Sequence, residues 1–261
     1  MNNLQCGLAS FVFFLYFYKH MSPALSGRIP KFNRLTKDEK TEWHARNAST
    51  LHAVVVTLLA MYVLLFEEHL RRDIIWGRST LSECSLSICV GYLLSDLYLI
   101  FTNYEAVGGT VGFIIHHCVS AYAYVYGLSG SVLLPVANFR LLAEMSTPFV
   151  NLRWALSTTG NKDSELYFYN GLLLTFSFFI SRILPMPFFY YMVISVQSLD
   201  SYSRVSLPCH ISWIGVCMVL DVMNLMWFKK IMSGILTHVI KRSKASETPP
   251  ATHNGTAHKI E

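Results

Sequence analysis

The sequence predicts an all-α fold, a bundle of membrane-spanning helices packed around a polar interior. Three observations predict it. Seven apolar runs, most near the ~20 residues a helix needs to cross a bilayer, alternate with short polar stretches. Hydrophobic residues make up 52% of the 261 residues and charged ones 14%, which excludes an ordinary soluble domain. Inside the runs lie side chains that lipid does not solvate: His116 and His117 within 111–128, and Asp96, Glu144, Asn151, Asp221 and Asn224 in others. An ionisable group at membrane depth costs a few kcal/mol or more, so it faces protein or a watery cavity.

The first run, 4–18, is short and aromatic-rich. It lacks a basic leader and a small-residue cleavage site, so it reads as an uncleaved anchor rather than a signal peptide. Runs at 49–66, 84–101 and 111–128 follow. The fifth, 131–154, carries Arg140 and Glu144 and must be shielded by protein. Their i, i+4 spacing is that of an ion pair along one helix face, with a lipid-headgroup role as the alternative. At the end of the sixth, 166–184, Pro185 and Pro187 end or kink the helix, because proline gives no N–H to the ladder. Aromatic residues 188–191 then either continue it or lie at the interface. The seventh, 207–228, carries Asp221 and Asn224 at i, i+3, on one face.

Basic residues set the orientation. Lys19, Arg28, Lys31, Arg34, Lys37, Lys40 and Arg46 crowd the first long loop, and Lys229, Lys230, Lys241, Arg242 and Lys244 follow the last run. The positive-inside bias puts both clusters in the cytosol and the N-terminus outside; Arg71, Arg72 and Arg78 run against it. In this orientation the Asn47 and Asn254 glycosylation sequons are cytosolic and unused. Asp96 and His116 then fall roughly 8–9 Å from the same face at about 1.5 Å per residue. Glu144, Asn151, Asp221 and Asn224 lie in the same half, so the polar groups converge on a site open to the cytosolic leaflet. Arg182 is placed near the opposite edge, where it snorkels to a phosphate, and His52, His210 and His238 sit near span ends with little signal. Segment 1–39 is expected to form the N-terminal span and basic loop, 40–242 the main domain and 243–261 a disordered cytosolic tail.

The histidine pair carries the chemistry. Neighbouring helix positions point about 100° apart, so one ring is expected to line the cavity while the other bonds a neighbouring helix. Asp96 is the candidate orienter, since a carboxylate beside an imidazole fixes its tautomer. Other chemistries lack their residues. A diiron site needs H-x-x-H-H clusters, and Phe113 stands three before His116, so no metal is expected. No G-x-S-x-G elbow, phosphate-cradling glycine loop or zinc-type C-x-x-C spacing occurs, and no cofactor is expected. The six cysteines read as small buried hydrophobes. The basic clusters abut spans and carry no aromatic recognition motif, which argues against nucleic acid.

Several stretches are similar to the TLC domain family, shared by ceramide synthases, translocon-associated proteins and lipid-homeostasis proteins. They are GYLLSD at 91–96, IHHCVS at 115–120, LAEMSTPFVNLRW at 142–154 and FFISRI at 178–183, within a resemblance covering about residues 40–240. The resemblance implies a TLC-type six-helix core around a cavity, plus one N-terminal span, in the endoplasmic reticulum membrane. In ceramide synthases the histidine pair serves acyl transfer from acyl-CoA, which carries over to His116 and His117. The acidic H-D-x-x-D-x-x-L-E stretch that follows in those enzymes is not reproduced: Ala137-Asn138-Phe139-Arg140 and then Glu144-Met145-Ser146-Thr147 stand here.

Three functions follow from these readings. The first is a lipid-homeostasis protein that binds or modifies membrane lipid in the cavity through Glu144, Arg140, Asn151, Asp221 and Asn224. The second is an acyl-CoA-dependent acyltransferase with His116 or His117 as base or nucleophile and Asp96 as orienter. The third is a membrane chaperone or cargo receptor that breaks no bond.

Overall fold

The helices begin where the sequence supplies caps. In the computed structural model, which describes residues 2–247 without the side chains of His238 and 241–247, Asn2 opens α1 (Asn3–Tyr16) with a reciprocal bond to Gln5. Thr36 and Glu39 do the same for α2 (Lys37–Phe66). Ser79 caps α3 (Thr80–Thr102) and Thr110 caps α4 (Val111–Gly130). After a tight turn come α5 (Leu134–Leu141), a 3-10 turn (Leu142–Ser146) and α6 (Thr147–Thr158). Ser164 caps α7 (Glu165–Phe178), which passes through a π turn (Phe179–Ile183) into α8 (Pro185–Val196). Last is α9 (Leu207–Glu247). No strand occurs among the described residues. Of the expected tail, 243–247 continue α9, and 248–261 with the Asn254 sequon lie outside the described residues.

Lys37–Phe66, Thr80–Thr102, Val111–Gly130, Glu165–Val196 and Leu207–Thr237 are long and apolar enough to cross a membrane. The other two expected spans, 4–18 and 131–154, are helical but interrupted, the first by a π turn at Phe17–Met21 and the second by the 3-10 turn. Pro185 and Pro187 do not end the sixth helix. The Leu184 N–H already reaches five residues back to the Phe179 carbonyl (2.8 Å), so the ladder is re-spaced before Pro185 enters at the start of α8. Residues 188–191 therefore continue the helix to Val196. Outward-facing Leu58, Leu65, Val125, Leu173, Ile194 and Met218 are exposed, as a lipid-facing surface requires.

Polar and small residues lock the helices together. Asn138, fully buried on α5, donates to Ser82 Oγ (2.8 Å) and the Leu134 carbonyl (2.9 Å) and accepts from Ser85 Oγ (2.5 Å), clasping α5 to α3. The N-terminal helix α1 lies along α3: Asn3 donates to Glu83 (3.0 Å) and Ser10 to the Ile88 carbonyl (2.8 Å). Gly91 makes this approach possible. A Cβ there would stand 2.3 Å from the Gly7 carbonyl oxygen and 2.6 Å from Ser10 Cβ.

The two ends of the bundle differ. At the end where α3 begins, the 67–79, 131–133 and 197–206 connections close over an apolar cluster of Ile75, Leu133, Phe189, Val193, Tyr202 and Val205. Leu133 is held in the left-handed region (φ 58°) as its N–H donates to the Ile75 carbonyl (2.7 Å). The basic residues that oppose the positive-inside bias are engaged locally at this end. Arg71 binds the last carbonyls of α2, Arg72 pairs with Glu68 and Arg78 with Glu83. The opposite end holds a cavity.

Gly91→Leu is expected to cost about 1–3 kcal/mol or more through overpacking against α1. It should lower the thermal unfolding midpoint in detergent by several degrees, whereas Gly215→Leu, at a position with no atom within 4 Å of the new Cβ, leaves it in place. Equal midpoints for the two variants would refute the close crossing.

Candidate functional site

A cavity of about 450 Å³ lies among α2, α3, α4, α6, α7, α9 and the 3-10 turn. Leu93, Leu99, Ile100, Phe113, Leu174 and Trp227 give it apolar walls. Asp96, His116, His117, Glu144 and Arg182 form its polar floor, and Arg46, Arg153 and Lys230 approach from the end where α2 begins.

His117 is fixed from both sides. Its Nδ1–H donates to the Phe113 carbonyl one turn back (2.8 Å), and Nε2 meets Asp96 Oδ2 on α3 at 2.8 Å. The proton between Nε2 and the carboxylate can rest on either partner. In both cases the ring keeps no lone pair for a ligand. His116, one residue earlier, points elsewhere: its ring stands edge to face with Trp227 at 5.4 Å and with His117 at 5.6 Å. Its Nδ1 is buried with no hydrogen-bond partner.

Arg182, buried on the π turn, faces Glu144 at 3.7 Å and donates to Ser146 Oγ (3.2 Å) and Asn224 Oδ1 (3.1 Å). Thr147 Oγ1 donates to Glu144 (2.7 Å). A second pair lies away from the cavity wall: Arg140 meets Asp221 at 2.6 Å, and the Tyr190 hydroxyl donates to the other carboxylate oxygen (3.0 Å). Asn151 joins α6 to α2, accepting from Arg46 (3.1 Å) and donating to the Arg46 carbonyl (3.1 Å) and Thr50 (3.0 Å).

The TLC domain family model matches residues 42–233, the stretch that carries both histidines and both buried ion pairs. The chain belongs to the TLC domain family. TLC domain-containing protein 4 of Homo sapiens is 40% identical over 246 residues, 92% of each chain. TLC domain-containing protein 4-B of Danio rerio is 34% identical over 94% of each. An uncharacterised TLC domain-containing protein of Schizosaccharomyces pombe is 25% identical over 82% of this chain and 73% of its own. No solved structure matches the chain. With its apolar spans, this TLC protein is a multi-pass integral membrane protein.

Within the TLC domain the structure sorts the residues singled out by sequence. His116, His117, Asp96, Glu144 and Asn151 line the cavity, whereas Arg140, Asp221 and Asn224 hold helices together behind it. Three expectations are corrected. Arg140 and Glu144 do not pair with each other. The 3-10 turn winds about 120° per residue against about 100° in an α-helix, so four residues no longer return to one face. The turn follows from Pro148, which offers no N–H to Glu144; the Thr147 N–H takes that carbonyl instead. Arg182 does not snorkel, because the helix runs on to Val196 and leaves it mid-rod, 7% exposed. His52 is not near a span end: α2 begins at Lys37, and the ring is buried and stacked on Tyr92 at 3.8 Å, both nitrogens without a hydrogen-bond partner. Trp227 has no signal beyond its residue type, whereas Lys230 stands in the basic cluster after the last run and Arg153 in the 142–154 stretch, neither of which marks it as a cavity residue. Among the described residues no group of three or more His, Cys, Asp or Glu is placed to hold a metal ion.

Asp221→Ala is expected to strand Arg140 as a buried charge and cost about 3–5 kcal/mol, read as a lower unfolding midpoint in detergent. Arg140→Met with Asp221→Leu should recover most of it. A double variant as unstable as the single would show that the pair is not the source.

Proposed function

We propose that this protein serves lipid homeostasis in the endoplasmic reticulum membrane by taking a membrane lipid into the cavity. The observation that carries the reading is one chamber with two kinds of surface. Apolar side chains such as Leu93, Phe113 and Leu174 form the wall, and His116, His117, Asp96 and Glu144 form the floor. An amphipathic ligand needs both, one for its chain and one for its polar atoms. Arg153 and Lys230 give an anionic headgroup its counter-charges, while the charge of Arg46 beside them is met by Glu42. With the basic loop at that end, the positive-inside bias turns the opening to the cytosolic leaflet and the closed end away from it.

The test is whole-lipidome profiling of knockout cells at matched expression. Wild type is expected to restore a defined lipid class, and the His116→Ala/His117→Ala double variant to leave it altered. Equal rescue by both would remove the histidines from function, and no change on knockout would refute the lipid reading.

A second reading, transfer of an acyl group from acyl-CoA to a lipid hydroxyl or amine, is favoured by the unequal state of the two histidines. His117 is committed at both nitrogens, while His116 lines the cavity, its Nδ1 buried and without a partner and its Nε2 not among the buried atoms. His116 is then the imidazole available to accept the acceptor's proton as the acyl carbon is attacked. The His117–Asp96 pair steadies the charge that develops, and the rim cations meet the CoA phosphates. In a purified assay with acyl-CoA and lipid acceptors, His116→Ala should lower kcat by about 10²-fold or more with little change in unfolding midpoint. Absence of turnover by wild type with every acceptor would leave binding alone.

A further inference from the structure

The strongest unassigned feature lies at the closed end, away from the cavity. Cys6 on α1 and Cys84 on α3 place their Sγ atoms 3.4 Å apart. The helices start at the same end of the bundle and run in parallel, and each cysteine lies within roughly 6 Å of its helix start at about 1.5 Å per residue. Their register is pinned on both sides. Asn3 reaches Glu83 one turn before, Ser10 reaches the Ile88 carbonyl one turn after, and Gly7 and Gly91 bring the backbones together between and beyond. Neither cysteine touches the cavity, so the proposed lipid chemistry does not use them.

We propose that Cys6 and Cys84 are a disulfide site on the non-cytosolic face, joining the N-terminal helix covalently to the TLC domain; the face rests on the orientation proposed above. The lumen of the secretory pathway favours disulfides. Cys84 is the more exposed of the two and reacts first. Its thiolate attacks the disulfide of an oxidant of that class, glutathione disulfide or a disulfide-bearing oxidoreductase. A mixed disulfide forms and one thiol leaves. The Cys6 thiolate then attacks the Cys84 sulfur, the Cys6–Cys84 bond forms and the second thiol departs. Two protein thiols lose two protons and two electrons, and the oxidant's disulfide becomes two thiols.

The bond would act at a distance on the cavity. Phe14 of α1 stands edge to face with Tyr92 (5.1 Å) and His52 (5.9 Å), and Tyr92 is part of the cavity lining. Tethering α1 through residues 78 apart in sequence therefore holds one wall of the chamber from behind.

The test uses the full chain in cells. Membranes are quenched with N-ethylmaleimide, digested without reductant and searched by mass spectrometry for a cross-linked peptide pair containing Cys6 and Cys84. In parallel, sealed microsomes are treated with protease to read the face of an N-terminal tag. The expected result is a protected tag and a cross-linked pair in most chains, lost on reduction and in Cys6→Ser. Wild type should also lose several degrees of unfolding midpoint with dithiothreitol, while Cys6→Ser does not. A protected tag with both thiols alkylated overturns the proposal alone. A digested tag with both thiols alkylated overturns the orientation and the proposal with it.

Discussion

A charge inside an apolar bundle has to be answered, and here the deeply buried ones are answered from other segments, which decides how these helices sit. In lipid there is little hydrophobic drive to bring one helix against another, since the tails are as apolar as the side chains. Directional contacts must then choose the register. His117 ties α4 to α3 through Asp96, Arg140 ties α5 to α9 through Asp221, and Arg182 gathers Glu144 and Asn224. Asn138 and Asn151 do the same without charge, joining α5 to α3 and α6 to α2. Sliding any of these helices by one residue would separate several pairs together. The apolar contacts around them tolerate such slips far better, because they have no direction.

The breaks in the helices are what aim these groups. A regular helix through 134–158 would keep Arg140 and Glu144 on one face and let them neutralise each other. The 3-10 turn before Pro148 separates them, so each must find a partner elsewhere. The π turn before Pro185 does related work: it carries Arg182 and re-spaces the ladder ahead of a residue with no N–H. Both irregular turns therefore sit next to prolines and hold the charges that line or brace the cavity. π turns inside α-helices are rare and frequent at functional sites.

Much of this was legible in the sequence, and the part that was not has a common cause. Apolar runs located the helices, and the intramembrane rule singled out His116, His117, Asp96 and Glu144, which do share one cavity. The expected division between the histidines is only half met: His117 bonds α3 through Asp96, but both rings line the cavity. Pairings across helices were not legible, because i, i+4 spacing speaks only of one helix and assumes it is regular. Spacing alone therefore offers Arg140 either Glu144 or a lipid headgroup and gives no sign of Asp221. Errors of extent did the rest. Ending a run at 184 places Arg182 at a membrane edge, and starting one at 49 places His52 at another. Hydropathy sees where apolar residues stop, but a helix stops where its caps are, at Thr36 and beyond Val196.

The electrostatics of the cavity follow from which charges are already answered. On the floor, Arg182 faces Glu144 and His117 shares a proton with Asp96, so both pairs are neutral wherever that proton rests. The floor offers donors and acceptors without net charge. Toward the opening, Arg46 already holds Glu42 at 2.6 Å, and Arg153 and Lys230 add two further cations to the lining. The chamber thus grades from a neutral polar floor to a cationic rim. An anionic head is drawn to the rim, and its desolvation is smallest there, where water is nearest. A hydroxyl, amine or carbonyl on the same molecule can go deeper at little cost, because the floor supplies hydrogen bonds and no uncompensated field. On the proposed lipid reading, a lipid entering head-outward would bring its neutral polar atoms to the level of His116, whose ring lines the cavity with its Nδ1 unpartnered.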